Sequence, residues 1–441
     1  MRKQLLKTAA MMLALTGLAF GQLFPWDAPE ITATGENEQR FSAEAAVTDS
    51  FWLPTSLDNV AVNDIVFNAQ GHIFVATHGD GIFRSTNNGQ SWTNLGSGLS
   101  TGGILSLAVD DTGWVYAGTF GDGIFRSTDN GDTWEIASTG ILSPFVFTLQ
   151  KGINGELFAG TLLDGVFRSS NRGGSWELLD LGLPSPATVY DLQIAASGEI
   201  FAAVSNVGIF RSGNDGLEWN TTGLGLEGVD IRTLLAKPNG ELFAGAWAQG
   251  VFILPPNNGI WSQTTLSNIH IMDLVTAPNG DLFAATHGSG VAVSGDNGIT
   301  WELPVGGLFS AGVWSLAISP DGYLYAGTSG NGIFRTFIPL PPTAIDTPEN
   351  EPLPNQFTLQ QNYPNPFNPT TTIPFQLSQS ANVTLRIVDL TGRTVAELLN
   401  GRKPAGSHEI EFFAGNIGSG IYFYVLTVDG VRESRRMILL K

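Results

Sequence analysis

The stretch GDGIFRSTDNGDTW at residues 121–134 packs two Asp-Gly turns, the short apolar run GIFRS and a terminal Trp into fourteen positions. As a calcium loop it fails, because the carboxylates after Asp129 do not fall at alternate positions and no Glu closes the loop at its twelfth place. As a phosphate cradle it lacks the Lys and the following helix that such loops use. Its copies explain it. GIFRS or a close variant starts at 81, 123, 165, 208, 250, 290 and 332, with spacings of 42, 42, 43, 42, 40 and 42 residues. So narrow a spread over seven units marks a repeat architecture.

Each unit reads as four short strands. An apolar first strand with one polar interruption (DIVF, SLAV, DLQI) leads into an Asn-Gly or Asp-Gly turn, as in KPNGE at 237–241 and SPDGY at 319–323. A second strand such as HIFVAT or ELFAGT follows, then the GIFRS strand, then a Trp-led strand. Four strands in about 42 residues, repeated seven times, predict a β-propeller. The Trp-led strand occurs six times, at Trp92, Trp134, Trp176, Trp219, Trp261 and Trp301, against seven GIFRS strands. SFWLPTSL at 50–57 resembles SWTNLGSGL at 91–99, so Trp52 starts the missing strand and the N-terminal segment closes the ring. The expected fold is all-β: a seven-bladed β-propeller over residues 50–337 closed by an N-terminal strand, followed by a small Ig-like β-sandwich.

Composition agrees. The 54 Gly and the low charged fraction of 14% suit a turn-rich β protein, and the absence of Cys removes disulfides, thiolate nucleophiles and Cys-ligated metals. A net charge of −19 argues against nucleic acid or an anionic membrane surface as partner. The first residues, MRKQLLK, supply three cations before the apolar TAAMMLALTGLAF, and Ala19-Phe20-Gly21 places small residues at a cleavage site, so 1–21 reads as a signal peptide. The apolar run is shorter than the roughly 20 residues of a membrane span, and no transmembrane segment is expected. Residues 22–49 form an N-terminal extension.

STDNGDTW at 127–134 and SGDNGITW at 294–301 match the Ser-x-Asp-x-Gly-x-Thr-Trp pattern of the Asp-box (BNR, sialidase-like) repeat family, with STNNGQSW at 85 a near copy and SSNRGGSW at 169 a looser one. The resemblance covers the whole propeller. It implies the fold rather than an activity, since sialidases, xyloglucan-degrading propellers and non-enzymatic sensors share it. A sialidase needs three Arg converging on one carboxylate. Arg84, Arg126, Arg168, Arg211 and Arg335 instead occupy one repeated column, and so read as packing and surface-pair residues.

A ligand site is expected on the rim made by the loops joining strands two to three and four to one, where the copies diverge. The position three residues before the repeated Gly reads His78, Phe120, Leu162, Ser205, Trp247, His287 and Ser329. The position just before that Gly reads Asp80, Asp122, Asp164, Val207, Gln249, Ser289 and Asn331. His78, Asp80, Phe120, Asp122, Asp164, Trp247, Gln249 and His287 are therefore the candidate ligand-binding residues. The polar column of the first strand includes Asp64, Asp191 and Asp273 among Ser and Thr, and Asp64 with Asp273 is the candidate for a catalytic carboxylate pair. Neither a cofactor nor a metal is expected.

The Pro-rich, acidic stretch 338–355 reads as a semi-rigid linker. After it, FTLQQNYPNPFNPTTTIPFQL at 357–377, VTLRIVDLTGRTVAELL at 383–399 and SGIYFYVLTVDGVRESRRMILLK at the end resemble the type A sorting domain of the type IX secretion system. The resemblance covers 356–441, with Tyr363, Pro364, Asn365, Pro366 and Phe367 as the sorting motif. It implies an Ig-like sandwich, the type IX machinery and its sortase as partners, and release or display at the outer surface of a Gram-negative bacterium. Charge separates the modules: 51–337 hold nine basic and 25 acidic residues (−16), and 356–441 hold eight and six (+2). The expected function is that of a secreted or surface-displayed binding or scaffold propeller for a glycan, peptide or protein. The alternative is an extracellular glycoside hydrolase or lyase.

Overall fold

A computed structural model describes residues 52–96, 99, 103–256, 259–303, 308, 312–336, 340, 357–389, 394–415, 417–418, 420–428 and 431–440. The signal peptide at 1–21, the extension at 22–49 and all of the 338–355 linker except Leu340 lie outside these residues. Every regular element among them is a strand. No helix among the described residues is long and apolar enough to cross a membrane.

Within 52–336 the described strands form seven antiparallel sheets. The third is representative. Its strands Val146–Lys151, Leu157–Thr161, Gly165–Ser169 and Glu177–Leu179 pair in chain order. The second strand of every sheet is buried along its full length, being covered on both faces by neighbouring sheets, and so reads as an unbroken apolar run. Small residues sit where adjacent sheets converge. A Cβ on Gly245 would fall 2.5 Å from Ile271 in the next sheet and from Thr233 in its own. Outermost strands are two or three residues long and mostly exposed, which leaves little open edge.

The ring closes through the strand that precedes the first sheet. Trp52–Pro54 pairs antiparallel with Ile333–Thr336, and Trp52 is 2% exposed. One core then joins Leu57 and the first-sheet residues Val62, Ile65 and Ile73 to Ala317, Tyr325 and Ile333 of the seventh. The sixth sheet has three strands, and Val293 and Glu302 exchange backbone hydrogen bonds where the fourth would lie.

The turn in the opening stretch is built from its own side chains. Ser127 Oγ accepts the Gly131 amide at 2.7 Å and donates to Asp129. Asp129 in turn accepts the Thr133 amide at 2.8 Å and the Thr133 hydroxyl. Asn130 at φ 62° and Gly131 at φ 93° take the left-handed backbone the turn needs. Ser294, Asp296, Gly298 and Thr300 repeat the same bonds. The Arg column ties the first three sheets each to the next: Arg84 donates to the Asn130 carbonyl, Arg126 to that of Arg172 and Arg168 to that of Asp215.

Residues 357–440 make two further sheets. One orders Phe357–Leu359, Thr370–Leu377 and Gly406–Phe413. The other orders Thr394–Lys403, Ala381–Asp389, Gly420–Val428 and Val431–Leu439. A single core that includes Ile373, Phe375, Leu385, Ile387, Tyr424 and Leu426 lies between them.

Candidate functional site at the channel mouth

The innermost strands surround a cavity of ≈ 560 Å³ lined by residues of all seven sheets. Three carboxylates face it, and all three are used. Asp64 accepts the amides of Ile65 and Leu107, each at 2.7 Å. Asp191 accepts those of Leu192 and Leu234, each at 2.8 Å. Asp273 accepts those of Leu274 and Leu316, each at 2.7 Å. In every case the second amide belongs to the next sheet, so these side chains tie neighbouring sheets at the channel wall.

Each Asp keeps some contact with channel solvent, and burial raises all three. Asp64 is pushed up to about 6, Asp191 to about 7 and Asp273 to about 8, with repulsion from Asp64 adding to the last two. The backbone amides act in the opposite direction and lose to desolvation. Among the described residues no group of three or more His, Asp and Glu is arranged to hold a metal ion.

Every innermost strand carries a register shift at one position, which falls on Asn63, Leu105, Phe147, Tyr190, Arg232, Met272 and Trp314. A bulge re-aims the side chain of its extra residue, and here all seven residues line the cavity. This column was not singled out in the sequence. Its signal was a position inside the first strand that differs in every one of the seven copies.

The candidate residues taken from the sequence lie one layer outside this column. The amides of His78, Phe120, Trp247 and His287 bond the carbonyls of Ala61, Gly103, Asp230 and His270, each two residues before a bulge. Asp80, Asp122, Asp164 and Gln249 sit on the turns beyond. The Asp80 and Gln249 carbonyls accept Asn94 Nδ2 and Gln263 Nε2 from the outermost strands, which sets this column toward the perimeter rather than the channel.

The structure brings two of the sequence candidates together, on the fifth and sixth sheets. The Trp247 ring stands 6.0 Å from His287 and 4.1 Å from His270, centroid to centroid. Arg232 Cζ lies 4.0 Å from the Tyr190 ring centroid and 5.5 Å from that of Trp247, while its Nε and Nη2 both donate to Asp230 Oδ2. Phe147 packs against Tyr190 at 5.3 Å. Burial, then the neighbouring His287 and Arg232, push the His270 imidazole below its usual range. Phe120 meets Phe145 at 4.9 Å on the second and third sheets. His78 and Asp80 stand exposed on the first sheet, and Asp122 on the second.

In the C-terminal module, Phe367 is 2% exposed and packs on Phe412, so this member of the motif is a core residue. Tyr363 is half exposed, with its hydroxyl donating to Glu409. The Pro364 carbonyl accepts both Asn362 Nδ2 and the Thr371 hydroxyl.

A family model described as a secretion system C-terminal sorting domain matches residues 361–440. The tail is the sorting domain of type IX secretion, and the chain is a secreted or outer-surface protein. No curated protein matches the sequence. Among solved structures the chain is similar to PorZ, a bacterial surface component of the type IX secretion system of Porphyromonas gingivalis, at 16% identity and TM-score 0.55 over 88% of this chain and 61% of that one. It is similar to YCF48 bound to D1 peptide at 16% identity and TM-score 0.54, over 66% and 96%. It is similar to the GH74 xyloglucanase of Xanthomonas campestris at 18% identity and TM-score 0.54, over 64% and 53%. At these identities the likeness speaks for a propeller-like fold alone, and the chain spans less than two thirds of the PorZ structure it matches.

Proposed function

We propose that this chain is a recognition propeller that the type IX machinery exports and its sortase processes, and that binds an extracellular ligand at the channel mouth without chemically altering it. The seven sheets are read as seven blades of the Asp-box type over residues 50–337. Residues 1–21 are read as a signal peptide and 356–441 as an Ig-like sorting module. One observation carries the binding reading. Seven symmetry-related bulges turn seven different side chains into one mouth, and on the third to fifth blades these are Phe147, Tyr190 and Arg232. A column kept for packing would repeat like its neighbours; one that differs at every copy serves recognition.

The hydrolase reading is disfavoured by the same geometry. A catalytic pair needs one carboxylate free to protonate a leaving group and another free to attack or to activate water. Asp64 and Asp273 each have both oxygens engaged by backbone amides. Neighbouring folds serve both ends, since YCF48 is seen with a peptide and the Xanthomonas propeller is a xyloglucanase.

The test is an array of extracellular glycans, peptides and proteins probed with the secreted chain and with a Tyr190→Ala/Trp247→Ala variant. Capture of a ligand by the parent chain and its loss in the variant are expected. Equal capture by both would move the site off the mouth. Product formation that disappears in Asp64→Asn or Asp273→Asn would replace the binding reading with the enzymatic one.

A further inference from the structure

We infer that the mouth binds an uncharged carbohydrate chain, with ring faces on the aromatic side chains and adjacent hydroxyls on the Arg232–Asp230 pair; this rests on the reading of the mouth as the binding site.

The donor and acceptor geometry leads to this class. Arg232 gives Nε and Nη2 to one oxygen, Asp230 Oδ2, at 3.1 and 2.6 Å, and its Nη1 makes no hydrogen bond among the described residues. Among the described residues Asp230 Oδ1 is buried without a hydrogen-bond partner, and so is His270 Nδ1 beside Trp247. Both atoms lie beside the Arg232 and Trp247 side chains, so unused polar capacity borders the aromatic faces. The pair therefore presents a donor at Arg232 Nη1, with a second acceptor, Asp230 Oδ1, buried beside it. A hydroxyl both donates and accepts, so neighbouring hydroxyls on a sugar ring match this arrangement, with small side-chain shifts bringing Oδ1 into reach.

Charge removes the acidic sugars. Arg232 is neutralised by Asp230, and Asp64, Asp191 and Asp273 lie along the channel wall in a propeller of net −16. A carboxylate or sulfate entering the mouth would meet no unpaired cation among the described lining residues, since Lys151 pairs with Asp111 and Arg232 with Asp230. Main-chain recognition of a peptide by strand addition is removed as well. It needs a row of free backbone groups, and the wall amides of Leu107, Leu234 and Leu316 are already taken. What remains is recognition by side chains: flat apolar faces from Phe147, Tyr190 and Trp247, with polar groups at their edges, which is how a pyranose divides its own surface.

The experiment titrates the full secreted chain by calorimetry with cellohexaose, mannohexaose, xylohexaose and maltohexaose, with oligogalacturonate as the acidic arm and a Pro- and aromatic-rich peptide pool as the peptide arm. At least one neutral oligosaccharide is expected to bind. Trp247→Ala and Asp230→Asn should each weaken it by about tenfold or more, with a retained cooperative thermal transition showing that the variants fold. Trp247→Phe, which keeps a ring face, should retain most of the affinity. Preference for the acidic arm, or no binding in the neutral arm, overturns the inference. Peptide binding that the same variants abolish would overturn the carbohydrate class and leave the mouth as the site. Oligosaccharide binding that ignores both variants would overturn the mouth itself.

Discussion

The Asp191 carboxylate in the fourth sheet accepts the amide of Leu234 in the fifth at 2.8 Å while its other oxygen accepts the amide of Leu192 at 2.8 Å. One side chain thus closes two backbone donors at the channel wall, one of them across a sheet boundary. Removing it strands both. Asp191→Ala should destabilise the chain by about 2–4 kcal/mol, the cost of two amides left without partners. Asp191→Asn keeps one acceptor and should cost less than half of that. Urea unfolding followed by Trp fluorescence reads both, and equal midpoints for parent and Asp191→Ala would remove the tie from the account of stability.

The same three carboxylates make stability depend on pH in the direction opposite to ordinary salt-bridged acids. Their values in the fold are raised from 3.8 to about 6, 7 and 8. Between those limits the folded chain holds protons that the unfolded chain has released, so stability falls as pH rises. The contribution is complete below about pH 4 and is lost through about pH 6 to 8. On the acid side Asp129 works the other way, since hydrogen bonds from Thr133 hold it below the usual carboxylate range. Thermal melts should therefore give a higher midpoint near pH 5 than near pH 8.5, and Asp273→Asn should flatten that slope. A midpoint that climbs from pH 5 to 8.5 would show that the channel carboxylates do not govern it.

The strand periodicity, the seven copies and the Trp count made the architecture legible. The position of Trp52 even located the strand that pairs with Ile333–Thr336. The inner surface was much less so. Asp64 and Asp273 were visible as polar interruptions, but their amide partners Leu107 and Leu316 lie 43 residues away, and no local pattern announces a bond between neighbouring repeats. The bulge column was hidden for another reason. A bulge breaks the alternation by which a strand's inward residues are counted, so Tyr190 and Arg232 fell outside the inward set. His270 lies in a connection whose copies share no motif, and only the stack on Trp247 brings it forward.

Two glycines two positions apart make opposite predictions at the closure. Gly332 has φ +73°, and a Cβ there would fall 1.9 Å from the Leu57 carbonyl oxygen. That carbonyl accepts the Ile333 amide, so it cannot move away without breaking the seam between the last strand and the start of the chain. Gly332→Ala should cost about 2–4 kcal/mol through strain and the lost bond. Gly330 has nothing within 4 Å of its built Cβ, and Gly330→Ala should stay within about 0.5 kcal/mol. Paired denaturation curves decide it; equal effects would mean that the Leu57 contact does not constrain the turn.

Trp52 tests whether ring closure is a global or a local event. Its side chain is 2% exposed and packs with Phe283, Val293 and Leu316 of the two last sheets. Trp52→Ala removes one of the largest buried side chains in the chain and should cost about 3–5 kcal/mol. It should also weaken the pairing that covers Ile333–Thr336, exposing an apolar strand edge that is prone to pair with other chains. The expected result is a single unfolding transition at lower urea, with light scattering appearing before the midpoint. If closure is local, hydrogen exchange would instead speed up only in Trp52–Pro54 and Ile333–Thr336 while the inner strands stay protected, and the midpoint would hold. That second outcome would mean that the inner strands and their Asp ties hold the ring without its clasp.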